Sequence, residues 1–251
     1  MENLAPLQTL TRRSYQLYQI GFIVLALGAL LTVVGLIVTN IPIVSKTDTM
    51  FSLLMLIGNV VFYAGVAGLV GGIGLIVRAR TRRRDNDLAL MTGDFLIQTQ
   101  FFDPRFLFVR NLNPPGAAYT DAVLIGPPGA LVFRIVDNIG AFACEGANWL
   151  TLNKGNQWVP LHFNPTKQAV DDVQHLRAFF AKHKLADIPV FGIIVFTATP
   201  QEATLSQREP VVPACNLTDL LTTLQAQYLT NPDRVAPSAV AAACRLLLGD
   251  E

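Results

Sequence analysis

Residues 121–136 read DAVLIGPPGALVFRIV. Two apolar runs, residues 121–125 and 130–136, flank a Gly-Pro-Pro-Gly tetrapeptide. Glycine and proline favour the backbone angles of tight turns, so this stretch predicts a β-hairpin. Asp121 opens the first run, and Arg134 interrupts the second. The hairpin therefore carries one carboxylate and one guanidinium in two otherwise apolar strands.

Further strands are predicted on both sides of this hairpin. Short apolar runs bounded by turn residues occur at residues 95–100, 106–110, 141–145, 149–152 and 158–161. The later stretch IPVFGIIVFT, residues 188–197, is apolar at successive positions. That pattern is typical of a strand that is covered on both faces of a sheet.

Helices are predicted between and after these strands. One begins near Pro165, with apolar residues at spacings of four, three and four: Ala169, Val173, Leu176 and Phe180. Asp171 and Asp172 fall elsewhere around that helix. Residues 217–229, with Asn216 as a possible N-cap, and residues 238–248 predict two more helices. Strands, a helix, a buried strand and further helices together predict an α/β domain with a mixed sheet.

The N-terminal third has a different pattern. No charged residue occurs between Arg13 and Lys46 or between Asp48 and Arg78. The apolar parts, residues 20–38 and about 53–77, are long enough to cross about 30 Å of hydrocarbon. A buried hairpin of a soluble protein and a cleaved signal peptide fit these lengths less well. We therefore predict a transmembrane hairpin over residues 20–77, with an N-terminal segment (1–19), a basic linker (78–94), a domain (95–200) and its helical C-terminal part (201–251).

Basic residues beside the two spans predict their orientation. Arginines flank the hairpin at Arg12, Arg13, Arg78, Arg80, Arg82, Arg83 and Arg84, whereas the connecting loop has only Lys46, offset by Asp48. Because such residues resist translocation, both termini are expected in the cytoplasm, at a bacterial-type plasma membrane. The five arginines after the second span, which we call the membrane collar, are also expected to contact anionic lipid; they are Arg78, Arg80, Arg82, Arg83 and Arg84.

Glycines recur every seven residues in both spans. They are Gly21, Gly28 and Gly35 in the first and Gly58, Gly65 and Gly72 in the second. Seven residues are close to two helical turns, so each set forms a stripe on which another helix can pack closely. We expect the two spans to pack stripe to stripe. Gly68 and Gly72 also form a GxxxG motif, which leaves a homo-oligomer as an alternative.

The near-neutral net charge of +1 is an average over unlike parts. Residues 85–251 contain 11 Lys and Arg against 16 Asp and Glu, a net charge of −5. The chain as a whole is 51% hydrophobic and 15% charged, which excludes a disordered or collagen-like protein. Three cysteines without CxxC spacing give no evidence of a disulfide scaffold or a zinc site.

Residues 121–197 resemble the NERD domain, a nuclease-related module of the restriction-endonuclease-like PD-(D/E)xK superfamily. The resemblance lies in the order and spacing of Asp121, Gly129, Gly140 and Trp149, of Asn164-Pro165 with Gln168 opening a helix, and of the apolar strand that ends at Phe196. It implies a restriction-endonuclease-like mixed sheet flanked by helices. The helix with a Gly-Glu start that usually precedes the sheet is not evident in residues 85–110.

The resemblance also implies where catalysis would occur. In catalytically intact members an Asp on one strand and a Glu-x-Lys on the next hold a divalent metal and stabilise negative charge on a phosphodiester. Asp121 matches the first position, as a vestigial or metal-binding residue. Arg134 and Val136 stand at the positions of Glu and Lys. A cation in place of the Glu repels a metal, and Arg134 is instead expected to pair with Asp121 across the hairpin.

Relocated catalytic groups are the alternative. Glu145 or Asp137 would supply the second carboxylate, and Lys154 or Lys167 the cation. Gln168 matches the family's helix-start glutamine and is expected either to face the degenerate pocket or to have a solvated or capping role. Arg134, Asn164 and Lys167 are the candidate binding residues. Only this alternative requires Mg²⁺, and no other cofactor is expected.

Two functions remain open at this stage. The first is a membrane-anchored, non-catalytic protein that binds or scaffolds an unidentified protein partner. The second is a membrane-tethered, metal-dependent nuclease. The acidic domain disfavours nucleic acid as a partner, because phosphate binding depends on Lys and Arg. A transporter or channel is not favoured, since the spans contain no charged residue.

Overall fold

A computed structural model describes residues 1–4, 10–41, 49–114, 118–231 and 233–248, with only the backbone of 10–14, 49 and 81–86. The chain divides into two compact units, Leu10–Arg84 and Met1–Thr9 with Asp85–Glu251. We call them the hairpin unit and the sheet unit and describe each by itself.

The hairpin unit contains helix α1 (Leu10–Asn40) and the first part of helix α2 (Thr49–Gln98). Two segments, Tyr15–Asn40 and Met50–Arg80, are long and apolar enough to cross a membrane by length and composition. They enclose the two predicted spans. The loop residues Lys46 and Asp48 lie outside the described residues.

The glycine stripes bring the two helices into close contact, as the sequence predicts. A Cβ atom placed on Gly28 would lie 2.6 Å from the backbone nitrogen of Leu69. One placed on Gly72 would lie 2.7 Å from the nitrogen of Leu25. Gly68 also faces α1, with Gly28 as its nearest neighbour. Both glycines of the GxxxG motif therefore serve contacts inside the hairpin.

The described residues of the sheet unit form two mixed sheets. The larger has the order β1 (Glu2–Leu4), β2 (Leu107–Leu112), β3 (Thr120–Gly126), β4 (Gly129–Val136), β8 (Val190–Phe196) and β10 (Ala214–Asn216). Strands β2, β3 and β4 are antiparallel, whereas β1, β8 and β10 pair in parallel with their neighbours. The smaller has the order β7 (Trp158–Pro160), β6 (Asn148–Leu152), β5 (Gly140–Glu145) and β9 (Ala203–Arg208). The mixed α/β class predicted from the sequence is confirmed.

The described residues of this unit form three further helices after the first strands. Helix α3 (Pro165–Lys182) links β7 to β8, a 3₁₀ turn (Leu217–Asp219) precedes α4 (Leu220–Gln227), and α5 is Pro237–Leu248. Asn216 stands at the N-cap position but makes no capping bond through its side chain. The short strands β1, β9 and β10 were not predicted, because three to six residues of mixed polarity carry no clear period.

One predicted strand is wrong. Residues 95–98 are the end of α2, and residues 99–100 follow it as a turn. Ala89, Thr92 and Leu96 are fully buried, and their spacings of three and four are those of one helical face. This helical period begins upstream of Phe95. The sequence predicts a linker over residues 78–94, but these residues are helical. A helix thus precedes β2, although its Gly-Glu start is absent.

The larger sheet has helices on both faces. On one face, Leu124, Phe133 and Ile193 pack with residues of α2 and α4. On the other, Val123 and Val132 pack with residues of α3 and α5. Because side chains alternate along a strand, Asp121 and Arg134 lie on the α3 side.

Candidate functional site

The β3–β4 hairpin places the two charged residues of the predicted motif side by side. Ala122 pairs with Phe133 in the antiparallel register, so Asp121 and Arg134 are the next residues across the ladder. The Arg134 guanidinium nitrogen Nη1 lies 3.6 Å from Oδ2 of Asp121. The pairing predicted across the hairpin is present.

A second carboxylate reaches the same guanidinium from the helix. Oδ2 of Asp172, on α3, lies 3.7 Å from Nη1 of Arg134. The side chains of Asp121 and Asp172 are only 8% and 10% exposed, and that of Arg134 is 25% exposed. We call these three residues the Asp–Arg–Asp cluster. In it, one cation stands between two buried acids.

The placement of Asp172 corrects the sequence interpretation. Asp172 was expected on the polar part of α3, but it is buried against the sheet. The indication in the sequence is its position one turn after Gln168, a residue that is expected to face either this site or solvent. An acidic residue at this spacing shares the face of Gln168, and the neighbouring Arg134 offsets part of the cost of burying it.

Further polar residues adjoin Asp121. Oδ2 of Asp121 accepts a hydrogen bond of 2.9 Å from the backbone N–H of Ile135. The residues on either side of Asn111, on β2, pair with the residues on either side of Asp121, so Asn111 lies opposite Asp121. Asn111 is buried and has a backbone φ of +55°. Its Oδ1 accepts a 3.3 Å hydrogen bond from the Tyr119 hydroxyl. Left-handed backbone in a buried strand residue is uncommon and clusters at functional sites.

Burial dominates the acid–base properties of both acids. It raises the pKa of Asp121, an effect that Arg134, the Ile135 amide and the Tyr119 hydroxyl oppose only in part. Burial likewise raises the pKa of Asp172 to about 7, against the lowering effect of Arg134. Asp172 therefore changes its charge near neutral pH.

The cluster keeps unused hydrogen-bonding capacity. Both ion-pair distances exceed the 2.7–2.9 Å of a direct charge-assisted hydrogen bond. Among the described residues, neither the buried Nε of Arg134 nor the buried Oδ2 of Asp172 has a hydrogen-bond partner. Buried polar atoms rarely remain unpaired, so this geometry suits the binding of a further polar group.

The candidate binding residues on α3 occupy its first turn. Oδ1 of Asn164 accepts a 2.9 Å hydrogen bond from the backbone N–H of Lys167, which makes Asn164 the N-cap of the helix. The Asn164 amide donates to the carbonyl of Ala147. The Lys167 side chain is exposed, and Gln168 is half-buried. Asn164 therefore has a clear structural role.

The residues considered as relocated catalytic groups lie elsewhere in the sheet unit. Glu145 is on β5, in the smaller sheet, and its exposed carboxylate lies 3.5 Å from Arg208. Asp137 follows β4, and Lys154 is exposed in the turn after β6. Among described residues, the carboxylate that joins Asp121 at Arg134 is Asp172.

The membrane collar is described only in part. Arg78 and Arg80 are exposed on α2. The backbone of Arg82, Arg83 and Arg84 is helical, but their side chains lie outside the described part of the structure, as do those of Arg12 and Arg13.

Metal ligands are not grouped in the described residues. No set of three or more His, Cys, Asp and Glu side chains among them is close enough to hold a metal ion. Cys144 and Cys215 are buried free thiols, and Cys244 is half-buried. Burial raises the pKa of the Cys244 thiol to about 11, which disfavours the thiolate required of a ligand or nucleophile.

No protein-family model, curated protein or solved structure matches the chain. The chemistry of the cluster is therefore interpreted from its own geometry.

Proposed function

We propose that this chain is a membrane-anchored cytoplasmic protein whose sheet unit is a NERD-like domain that has lost catalysis and serves in binding or scaffolding. The observation that carries the proposal is the position of Arg134. Its guanidinium lies within 3.7 Å of two buried carboxylates, where a metal-dependent nuclease requires a divalent cation. Arg134 thus neutralises the acids that would otherwise attract the metal.

The order of elements supports the NERD-like part of the proposal. A helix ending at Gln98 precedes three antiparallel strands, and Asp121 is on the middle one. Helix α3, with Gln168 in its first turn, then leads to β8, which pairs in parallel with β4. This is the order of hairpin, helix and apolar strand that the resemblance implies.

Strand pairing supports the proposed topology. Residues 2–4 form β1, which pairs with residues 107–109 of β2. This pairing supports a topology in which the segment before α1 and the domain after α2 lie on the same side of the membrane, as two crossings predict. The basic residues outside the connecting loop favour the cytoplasm as that compartment.

The charge of the sheet unit favours a protein partner over nucleic acid. Residues 85–251 carry a net charge of −5, and affinity for a phosphate backbone depends on neutralising Lys and Arg contacts. We infer that anionic lipid contacts the collar and that a protein binds the sheet unit.

A cleavage and metal-binding assay tests the loss of catalysis. The full chain, purified in detergent, is incubated with Mg²⁺ or Mn²⁺ and with linear or supercoiled DNA, and Mn²⁺ binding is followed by electron paramagnetic resonance. We expect neither cleavage nor site-specific Mn²⁺ binding. Arg134→Gln removes the cation between the two acids and is expected to increase Mn²⁺ affinity.

The matched controls are two aspartate variants. Asp121→Ala removes the buried acid, and Asp187→Ala removes an exposed one. Metal-dependent cleavage that is lost in Asp121→Ala and kept in Asp187→Ala would establish the nuclease alternative in place of our proposal. Topology is tested separately with a reporter fused after residue 251, and reporter activity outside the cytoplasm would refute the proposed orientation.

A further inference from the structure

A cavity of about 360 Å³ lies beside β8, between α3 and α4, and contains no residue of the Asp–Arg–Asp cluster. This volume is within the range of protein ligand sites. The cavity is bounded by Val173 of α3, Gly192 of β8, Pro213 before β10, and Leu224 of α4. It lies at the edge of the larger sheet.

The edge of β8 is open along its first half. β10 pairs with residues 194–196 and with no earlier part of the strand. The backbone N–H of Ile194 donates to the carbonyl of Pro213, so even-numbered residues of β8 direct their backbone groups away from β4. Gly192 has this orientation, and no described residue forms a hydrogen bond to its N–H or C=O on that side.

Proline explains why the pairing stops. In continued parallel pairing, the carbonyl of Gly192 would accept from the backbone nitrogen of residue 213. That residue is Pro213, which has no N–H to donate. Pro213 therefore ends the hydrogen-bonded pairing of β8 with β10 at Ile194. The N–H and the C=O of Gly192 are left directed at the cavity.

The walls of the cavity match the two faces of a strand. Val170 and Val173 line it from α3, on one face of the sheet. Leu224 of α4 and Tyr228, which directly follows α4, line it on the other face. Successive side chains of an extended peptide point to opposite faces, so a peptide in this place would bury alternate side chains against α3 and α4.

Arg177 sets the charge of the site. It is the single charged side chain among the described residues that line the cavity. Its Nη2 donates a 2.7 Å hydrogen bond to the carbonyl of Val190, at the beginning of β8. This hydrogen bond holds the guanidinium beside the first residue of β8, where its charge complements a carboxylate.

We propose that this open edge binds the C-terminal peptide of a partner protein, as a strand antiparallel to β8 with its terminal carboxylate at Arg177. The antiparallel direction brings the carboxyl end of the peptide beside Val190, where Arg177 lies. The four residues from Val190 to Ile193 span about 13 Å, room for about four peptide residues. Strand addition of this kind takes affinity from backbone bonds and specificity from the side-chain pockets.

The test begins with the full chain in lipid nanodiscs. A library of random octapeptides with free C-terminal carboxylates is selected against it, and the enriched sequences are synthesised with an N-terminal fluorophore. Anisotropy then gives their affinity as free acids and as C-terminal amides. We expect amidation to weaken binding at least tenfold, and hydrogen exchange at the Gly192 amide to slow when the free acid is bound.

Two variants and two matched controls locate the site. Gln227→Trp fills the cavity from the exposed face of α4, whereas Gln225→Trp places the same side chain on α4 outside it. Arg177→Gln removes the proposed carboxylate partner, whereas Arg245→Gln removes an exposed arginine of α5. We expect Gln227→Trp to abolish binding, Arg177→Gln to weaken it at least tenfold, and both controls to bind as the unmodified chain does.

Three results would overturn the proposal. One is that no sequence is enriched on the unmodified chain relative to Gln227→Trp. Another is that enriched peptides bind Gln227→Trp or Arg177→Gln with unchanged affinity. The third is that amides bind as tightly as free acids. Gln227 is exposed, so its replacement tests the site even if Arg177→Gln alters the fold through the lost bond to Val190.

Discussion

Replacing Arg134 with methionine tests the electrostatics of the cluster. The change keeps an apolar stem of similar length and removes the guanidinium. At an effective dielectric constant of 20, charges 3.6 Å apart interact by about 4–5 kcal/mol. Removing one partner of a buried ion pair typically costs about 3–5 kcal/mol. Since a quarter of the Arg134 side chain is exposed, we expect Arg134→Met to lower the free energy of unfolding by an amount at the lower end of this range, about 3 kcal/mol at pH 8.

Arg208→Met is the matched control. Arg208 also lies 3.5 Å from a carboxylate, that of Glu145, but the two side chains are 81% and 73% exposed. Exposed ion pairs contribute at most about 1 kcal/mol, because water and salt screen them. The same chemical change at almost the same distance is therefore expected to have little effect.

The assay is denaturant unfolding of the full chain in detergent, followed by tryptophan fluorescence. The chain has two tryptophans, and both, Trp149 and Trp158, are in the smaller sheet of the sheet unit. Trp149 is 4% exposed and packs near Phe196. The emission therefore reports unfolding of the sheet unit rather than of the hairpin unit.

The pH dependence provides the decisive comparison. Without the cation, both acids bind protons more readily, so the cost of Arg134→Met is expected to decrease from pH 8 to pH 5.5. Combining it with Asp121→Asn and Asp172→Asn is expected to recover most of the loss. Equal effects of Arg134→Met and Arg208→Met, or a cost independent of pH, would refute the description of the cluster as a buried site in which Arg134 stabilises two carboxylates.

Three further predictions concern other parts of the structure. Gly72→Ala is expected to destabilise the hairpin unit by about 1–3 kcal/mol relative to Gly71→Ala in a steric-trapping assay. The reason is that a Cβ at Gly72 meets the backbone of α1, whereas one at Gly71 meets nothing within 4 Å. Equal stabilities of the two variants would contradict packing of the glycine stripes. Burial raises the pKa of Asp172 to about 7, so the folded state binds this proton more tightly than the unfolded state and stability increases as pH decreases from about 7 to about 4. Asp172→Asn is expected to flatten this dependence of stability on pH and to stabilise the sheet unit at pH 8 by about 1 kcal/mol. An unchanged dependence would show that a group other than Asp172 binds the proton. Tyr228→Phe removes a buried 2.8 Å hydrogen bond to the Gly129 carbonyl and is expected to lower the free energy of denaturant unfolding by about 1–3 kcal/mol. An unchanged free energy of unfolding would show that another donor bonds to this carbonyl.

Much of the architecture follows from local pattern. Runs of apolar residues between turn residues gave β3, β4 and β8, and the spacing from Ala169 to Phe180 gave α3. The strand prediction for residues 95–100 is wrong, because this short run is strand-like by itself and only the helical period that begins upstream, at Ala89, identifies it as the end of α2.

The site could be predicted only in part. Asp121 and Arg134 are opposite each other in a hairpin whose turn fixes the register, so their pairing was accessible from the sequence. Asp172 was not, because it is 38 positions from Arg134 and looks like an ordinary polar residue of an amphipathic helix. Its role depends on how α3 packs on the sheet.

The sequence by itself determined the two apolar spans, their glycine stripes and the hairpin that carries Asp121 and Arg134, because period and turn chemistry are local properties. Only the tertiary structure decided that a second acid shares Arg134 and that Pro213 leaves the edge of β8 open. Both depend on contacts between segments distant in the chain, and such contacts are set by packing rather than by neighbouring residues.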